Sequence, residues 1–399
     1  MRSIDDHLAL VRALARELPP EEVPLDEAGG RVIAADLTAR LPVPPFTNSA
    51  MDGFAVHAAD VTTPTTLDVV ADIPAGNRRA VTVPAGSAAR IMTGAPLPEG
   101  ADAVVPVEAT DQPRGAAPLP ERVAIHEAVR PGRHVRRAGE DVSVGDPVVP
   151  RGTRVDAAVR ATLASIGYAR VPVHRRPRVL VVSTGDELVA PGEPLAPGEV
   201  PDSNSLLVEG LVERFGGEVA GRHRVSDDVR ALEALLAEHA GDADVLVTTG
   251  GVSVGAFDVV RATLDADFHA VAMQPGKPQG AGRIDRDGHS LAFLGLPGNP
   301  VSVFVSAWVF LRELLGATAG HTLPWPASRV PSGAEWSSPA ARTQYVPVRL
   351  EGGHAVPTGA RAAASHHVGT LWQAEALAVV PAGVDHVGPG DELDVHMVR

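Results

Sequence analysis

The chain has 399 residues, room for two to four domains at roughly 100–200 residues each. Hydrophobic residues at 44% and charged residues at 21% exclude a disordered or fibrous chain, and 36 Pro with 40 Gly exclude a helical bundle. A net charge of −14 argues against nucleic acid or an anionic membrane as partner, and the lack of cysteine removes disulfides, thiolate metal ligands and a cysteine nucleophile.

Residues 3–18 place Ile4, Leu8, Val11, Leu14, Ala15 and Leu18 on one helical face, which Pro19-Pro20 ends. The start is acidic and polar, without the apolar core of a signal peptide. No apolar run reaches about 18 residues anywhere, so a cytoplasmic protein is expected. Residues 24–38 read as a second short helical or strand–helix piece, and Leu41-Pro42-Val43-Pro44-Pro45-Phe46 as an extended linker. Short β-rich runs follow at Leu67 to Val70, Ala88 to Met92, Ala103 to Val107 and Arg122 to Ile125. A helix from Asp156 to Gly167 and a strand from Ala169 to Val173 close this half.

Residues 177–316 read as α/β: strands at 178–183, 218–224, 244–248 and 290–294 alternate with helices at 203–215, 227–239 and 300–315. That alternation predicts a parallel sheet covered by helices on both faces. Residues from about 322 onward carry short strands and turns, read as a small β barrel or sandwich. The fold class is therefore α/β plus β, in a multidomain chain.

Three loops fall at the carboxyl ends of predicted parallel strands, where open sheets bind ligands. They are Ser183-Thr184-Gly185-Asp186-Glu187-Leu188, Thr248-Thr249-Gly250-Gly251-Val252-Ser253-Val254-Gly255 and Gly295-Leu296-Pro297-Gly298-Asn299-Pro300. Glycine allows close backbone approach, and exposed N–H groups make an anion nest. Each alone reads as an ordinary tight turn; three at one edge point to a ligand cleft. The middle loop is neither a Walker A motif nor a dinucleotide fingerprint. It fits the Gly-x-Ser-x-Gly pattern literally, but reads as a cradle and not as a strained nucleophile elbow.

Carboxylates gather at the same edge: Asp186, Glu187, Asp202 and Asp258. Such hard oxygen ligands suit Mg²⁺ bridging protein to substrate phosphate; the competing reading is a helix cap, which Asp202 or Ser203 would make for the following helix. Pro275-Gly276-Lys277-Pro278 is a rigid turn displaying one Lys, suited to an oxyanion or simply solvated. Outside this region stand Asn48-Ser49-Ala50-Met51-Asp52-Gly53, Met92-Thr93-Gly94-Ala95-Pro96, and the basic run Arg133-His134-Val135-Arg136-Arg137 before Gly139-Glu140-Asp141. That run is a local attraction for an anion in an otherwise acidic protein.

In this order the motifs resemble the MoeA family, which includes the C-terminal domain of gephyrin, over about residues 3–395. The resemblance implies a molybdopterin molybdenumtransferase that takes adenylylated molybdopterin and molybdate. In a Mg²⁺-dependent step it releases AMP and molybdenum cofactor. It further implies an elongated homodimer of four-domain subunits: a discontinuous domain at 1–42 and 138–174, a β-rich insertion at 43–137, an α/β molybdopterin-binding domain at 175–319 and a β domain at 320–399. The cleft would lie between the α/β domain of one subunit and the N-terminal domains of the other.

Carried over onto this chain, Asp186, Glu187, Asp52 and Thr93 take catalytic positions, and Asp186, Glu187, Asp202 and Asp258 the metal positions. Ser183, Thr184, Gly250, Gly251, Ser253, Gly255, Lys277, Pro297, Gly298 and Asn299 take ligand-binding positions. Transient contacts with a molybdopterin adenylyltransferase and apo-molybdoenzymes are implied as well. The sequence departs from the family at Gln274, where many relatives have Lys, at Ala256, where many have an acid, and at Ala364-Ser365-His366-His367, so no C-terminal site is carried over. Alternatives are a tungstate-inserting homologue, a molybdopterin-binding scaffold without turnover and, less suited to the long flanking segments, an adenylyltransferase.

Overall fold

A computed structural model describes residues 1–252, 258–359 and 365–399. The chain is organised as two compact units. One comprises Met1–Glu21, Gly30–Ala34 and Pro172–Arg399; the other comprises Glu22–Gly29 and Ala35–Val171.

In the first unit, the strands Glu218–Val225, Arg178–Thr184, Val245–Thr249 and His289–Leu296 lie side by side and parallel. Val179 to Val182 and Val245 to Val247 are buried on both faces, as near-continuous apolar runs of a covered sheet must be. Val179, Val181, Val247 and Leu294 meet the helix Asn204–Arg214 and the apolar helix starting at Pro300. Leu180, Val182, Leu246 and Phe293 meet Leu232 and Leu236 of the helix Val229–His239. Each fully buried Val or Leu contributes roughly 1.5–3 kcal/mol. Two strands that the sequence reading did not include, Pro278–Arg286 and Asp267–Ala270, extend this parallel sheet through antiparallel pairings beyond His289–Leu296. These strands alternate weakly and carry Gly280 and Gly282, so their sequence signal is poor.

Pro300–Thr318 is, among the described residues, the one helix long and apolar enough to cross a membrane, and 89% of it is buried as core. It holds a π-helical turn at Ala307–Leu311. The first helix, Ile4–Leu14, is capped by Ser3, whose hydroxyl accepts from Asp6 N–H at 3.0 Å. It ends before the proline pair: Ala15 is already extended, so Ala15 and Leu18 are not helical. This helix packs Val11 and Leu14 into the α/β core. The C-terminal strands Thr343–Glu351, Ala376–Val380, Glu392–Met397 and Ala327–Pro331 form one sheet, to which Met273–Gln274 adds in parallel beside Thr343 and Gln344.

In the second unit, Ala103–Pro106, Gly53–Val56, Ser87–Ile91, Thr65–Ile73 and Arg122–Ile125 form a five-stranded sheet in that order. Phe54, Val56 and Val105 pack on one face, and Ala55, Ile91 and Val104 on the other. The helix Ala157–Ser165 is capped by Asp156, whose carboxylate accepts from Val159 N–H at 2.9 Å. Residues 24–38 hold a single 3-10 turn, Leu25–Glu27, and the two-residue strand Leu37–Thr38, not a regular helix. Gly29-Gly30 interrupts that segment and weakens any helix there.

Candidate active site

The three glycine-bearing loops emerge from three adjacent parallel strands. Gly250 N–H donates to Leu296 O at 3.1 Å, joining the second loop to the third. Asn204 Nδ2 donates to Gly298 O at 2.6 Å, joining the third to the Asn204–Arg214 helix. Ser183 Oγ donates to Asp202 Oδ1 at 3.0 Å and shares a hydrogen bond with Thr249 Oγ1 at 3.1 Å. The same Asp202 oxygen accepts from Ser205 N–H at 3.1 Å, so Asp202, and not Ser203, caps the helix. Asp202 is buried, held by Ser183 of the strand Arg178–Thr184 and by the helix it starts.

A cleft of about 830 Å³ opens beside these loops. Of the residues expected at the site, Glu187, Asp202, Lys277, Pro297, Gly298 and Asn299 line it. Arg342 lines it too, although the sequence did not single it out. Arg342 reaches this place because Thr343 N–H donates to Ala272 O at 3.1 Å, where the C-terminal sheet takes up Met273–Gln274. No sequence motif announces that long-range pairing. Gln274 lines the cleft in its own right.

Asp186, Glu187 and Asp258 form a second acidic grouping with Asp227, which lies beyond the edge strand Glu218–Val225. Asp227 N–H donates to Asp186 Oδ1 at 3.1 Å. Partial burial, then the charges of Asp186 and Glu187, raise the Asp227 pKa above its ordinary value. Among the described residues, no three His, Asp or Glu side chains stand close enough to enclose a metal ion. Asp186 and Asp258 are not among the lining residues of the cleft, whereas Glu187 belongs to both groupings. Ser253, Gly255 and Ala256 lie outside the described residues, as does Ala364.

The second unit holds Asp52 and Thr93. A tight turn, in which Ser49 Oγ donates to Met51 O at 2.6 Å, presents Asp52. Gly53 follows because its backbone abuts its neighbour: a Cβ there would sit 2.0 Å from Val105 O. Gly94 N–H donates to Ser49 O at 2.8 Å and Ala50 N–H to His134 O at 2.9 Å. These bonds tie the Asp52 turn to the Thr93 loop and to the basic run, whose Arg133, Arg136 and Arg137 are exposed. Asp52 and Thr93 border a second cavity of about 430 Å³, also lined by Arg90 and Arg114.

Such an α/β sheet, with glycine loops and carboxylates at its carboxyl edge, defines a small-molecule-binding enzyme fold of the kind that takes anionic ligands. Comparison with known proteins narrows this. The model of the MoeA N-terminal region (domain I and II) matches residues 2–167. That of a probable molybdopterin binding domain matches 180–317, and that of the MoeA C-terminal region (domain IV) matches 329–398. Molybdopterin molybdenumtransferase 2 of Mycobacterium tuberculosis is 40% identical, with 99% of each chain covered. Molybdopterin molybdenumtransferase of Nostoc sp. is 36% identical over 96% of this chain and 90% of its own. A crystal structure of the molybdopterin biosynthesis moeA protein from Pyrococcus horikoshii superposes with a TM-score of 0.83 at 27% identity, each chain covered in full. The chain belongs to the MoeA family of molybdopterin molybdenumtransferases, transferases of molybdenum cofactor biosynthesis.

Proposed function

We propose that the protein inserts molybdate into adenylylated molybdopterin in a Mg²⁺-dependent reaction that breaks the phosphoric anhydride and releases AMP and molybdenum cofactor. The observation that carries this reading is the cleft at the edge of three adjacent parallel strands, where Lys277 and Arg342 face the same space as Glu187 and Asp202. Both substrates are anions and the chain carries −14, so their capture needs local cations, N–H nests and a metal. In this reading Lys277, the backbone at Gly250, Gly251, Pro297, Gly298 and Asn299, and Ser183 and Thr184 hold the oxyanions, with Ser253 and Gly255 completing the second loop.

The carboxylates would hold Mg²⁺ through one or two protein oxygens at a time and not as an enclosing cage. Asp186, Glu187, Asp202 and Asp258 supply hard oxygens spread over two groupings, which suits an ion that keeps several waters and takes few protein ligands. When bound, the ion neutralises phosphate charge. Asp202 is held rigid by Ser183 and Ser205, so it offers its carboxylate without rearrangement. In this reading Asp186 and Glu187 orient a water whose oxygen bonds to phosphorus as the anhydride P–O bond breaks to give AMP, one of the two carboxylates taking the water's proton. Asp52 and Thr93 act from the second subunit of a homodimer with a shared cleft, which places the 43–137 insertion of one copy against the 175–319 domain of the other. The division into 1–42 with 138–174, 43–137, 175–319 and 320–399 belongs to this reading. It is supported by the match of residues 2–167 to a region described as domains I and II. The enzyme acts in the cytoplasm, receives its substrate from an adenylyltransferase and delivers cofactor to apo-molybdoenzymes.

Reconstitution of an apo-molybdoenzyme by the purified protein, adenylylated molybdopterin, Mg²⁺ and molybdate tests the reading. Activity with molybdate and none without it supports insertion. Activity with tungstate alone would assign the other oxyanion.

A further inference from the structure

Behind the Lys277 turn lies a polar contact in an otherwise apolar core. Gln279 is fully buried at the start of the Pro278–Arg286 strand, and Ser306 is fully buried in the helix of the apolar face. Gln279 Nε2 donates to Gly276 O at 2.6 Å and to Ser306 Oγ at 2.7 Å. The amide orientation is fixed chemically, because only the NH₂ end can donate to a carbonyl. Gly276 has φ +98°, a left-handed conformation open to glycine, and a Cβ there would stand 2.8 Å from Ser306 Oγ. The turn therefore closes directly onto these two side chains, and its next residue, Lys277, is exposed and lines the cleft. Gln279 Oε1 is buried without a hydrogen-bond partner among the described residues, so the side chain's polar contribution lies in what its NH₂ group holds.

We propose that Gln279 and Ser306 are positioning residues for the reaction: they pin the carbonyl of Gly276 and so fix where Lys277 presents its ammonium group to the substrate oxyanion. The inference rests on the reading of Lys277 as a substrate contact. A turn held at one carbonyl by a buried donor loses its single geometry when the donor is removed, while the surrounding apolar core keeps the fold.

A double-mutant cycle on the full-length protein tests this, with AMP release from adenylylated molybdopterin as the rate and the thermal midpoint as a separate readout. Gln279→Leu keeps the volume and removes the donor. Its KM is expected to rise roughly three- to tenfold with kcat little changed. Combined with Lys277→Ala, it is expected to fall within about twofold of Lys277→Ala alone, because both changes remove the same contact. Gln279→Met, which also removes the donor and has an unbranched side chain of similar volume, carries the same test if Gln279→Leu does not fold. Additive losses, or an unchanged KM in Gln279→Leu while Lys277→Ala is impaired, would overturn the positioning role and leave the reading of the cleft intact. An unimpaired Lys277→Ala would overturn both.

Discussion

Thr93 donates both its backbone N–H, at 2.7 Å, and its hydroxyl, at 2.8 Å, to one oxygen of Asp52. The two bonds, the backbone one foremost, lower the Asp52 pKa below its ordinary value and keep the group ionised. A depressed carboxylate pKa stabilises the fold above the unfolded value, and that contribution is lost as pH falls through the folded one. Thr93→Val keeps the N–H and removes the hydroxyl. The acid limb of the turnover profile should move to higher pH, and Asp52→Asn should lower kcat by roughly a hundredfold or more. An acid limb unmoved in Thr93→Val would separate Thr93 from the function of Asp52.

Asp186 and Asp227 are the pair through which the acidic grouping can be tested. Asp186→Ala is expected to cost roughly a hundredfold or more in cofactor production while the protein stays folded. Mg²⁺ should raise the thermal midpoint of the wild type and raise that of Asp186→Ala less, since fewer carboxylates remain to bind it. Equal Mg²⁺ shifts in the two proteins would remove Asp186 from the metal site.

Loop position was legible in the sequence because each glycine cluster follows an apolar run long enough for a buried strand, as at Arg178–Thr184 and Val245–Thr249. Asp52 and Thr93 were legible only through their motifs, since no local pattern shows that residues 41 apart share hydrogen bonds. Asp227 escaped notice because Asp227-Asp228 reads as the start of a helix, and Asp228 does cap it, accepting from Arg230 N–H at 3.0 Å. The antiparallel strands Asp267–Ala270 and Pro278–Arg286 escaped because their glycines and short apolar runs resemble loop sequence. Arg342 escaped because its place depends on strand pairing across some seventy residues of sequence, between Met273 and Thr343.

His7 carries a pH dependence that is independent of the cleft. It is fully buried, its ring meets Phe310 edge-on with centroids 4.7 Å apart, and neither ring nitrogen has a hydrogen-bond partner among the described residues. Burial, reinforced by Arg2 and His269 and opposed by Asp267, pushes its pKa down to about 4. Between that value and the ordinary 6.5 the unfolded chain binds more protons, so stability is full above 6.5 and falls as pH drops toward about 4. By linkage the loss is about 3 kcal/mol over that window. His7→Leu, which places an apolar, non-titrating side chain of similar size there, should flatten this part of the stability profile by urea unfolding. An identical acid slope in the variant would show that other groups set it.

The proposed shared cleft requires two copies. Light scattering at micromolar concentration should give twice the 41.3 kDa chain mass. A monomer that turns over at full rate would contradict the assignment of Asp52 and Thr93 to a neighbouring subunit.

AMP release tests the central claim most directly. Purified protein is mixed with adenylylated molybdopterin and Mg²⁺, with and without molybdate, and AMP is followed over time. The expected result is AMP formation that depends on molybdate and Mg²⁺ and matches the cofactor formed. Tight binding of adenylylated molybdopterin with no AMP under either oxyanion, molybdate or tungstate, would contradict it and leave a scaffold that has kept the fold.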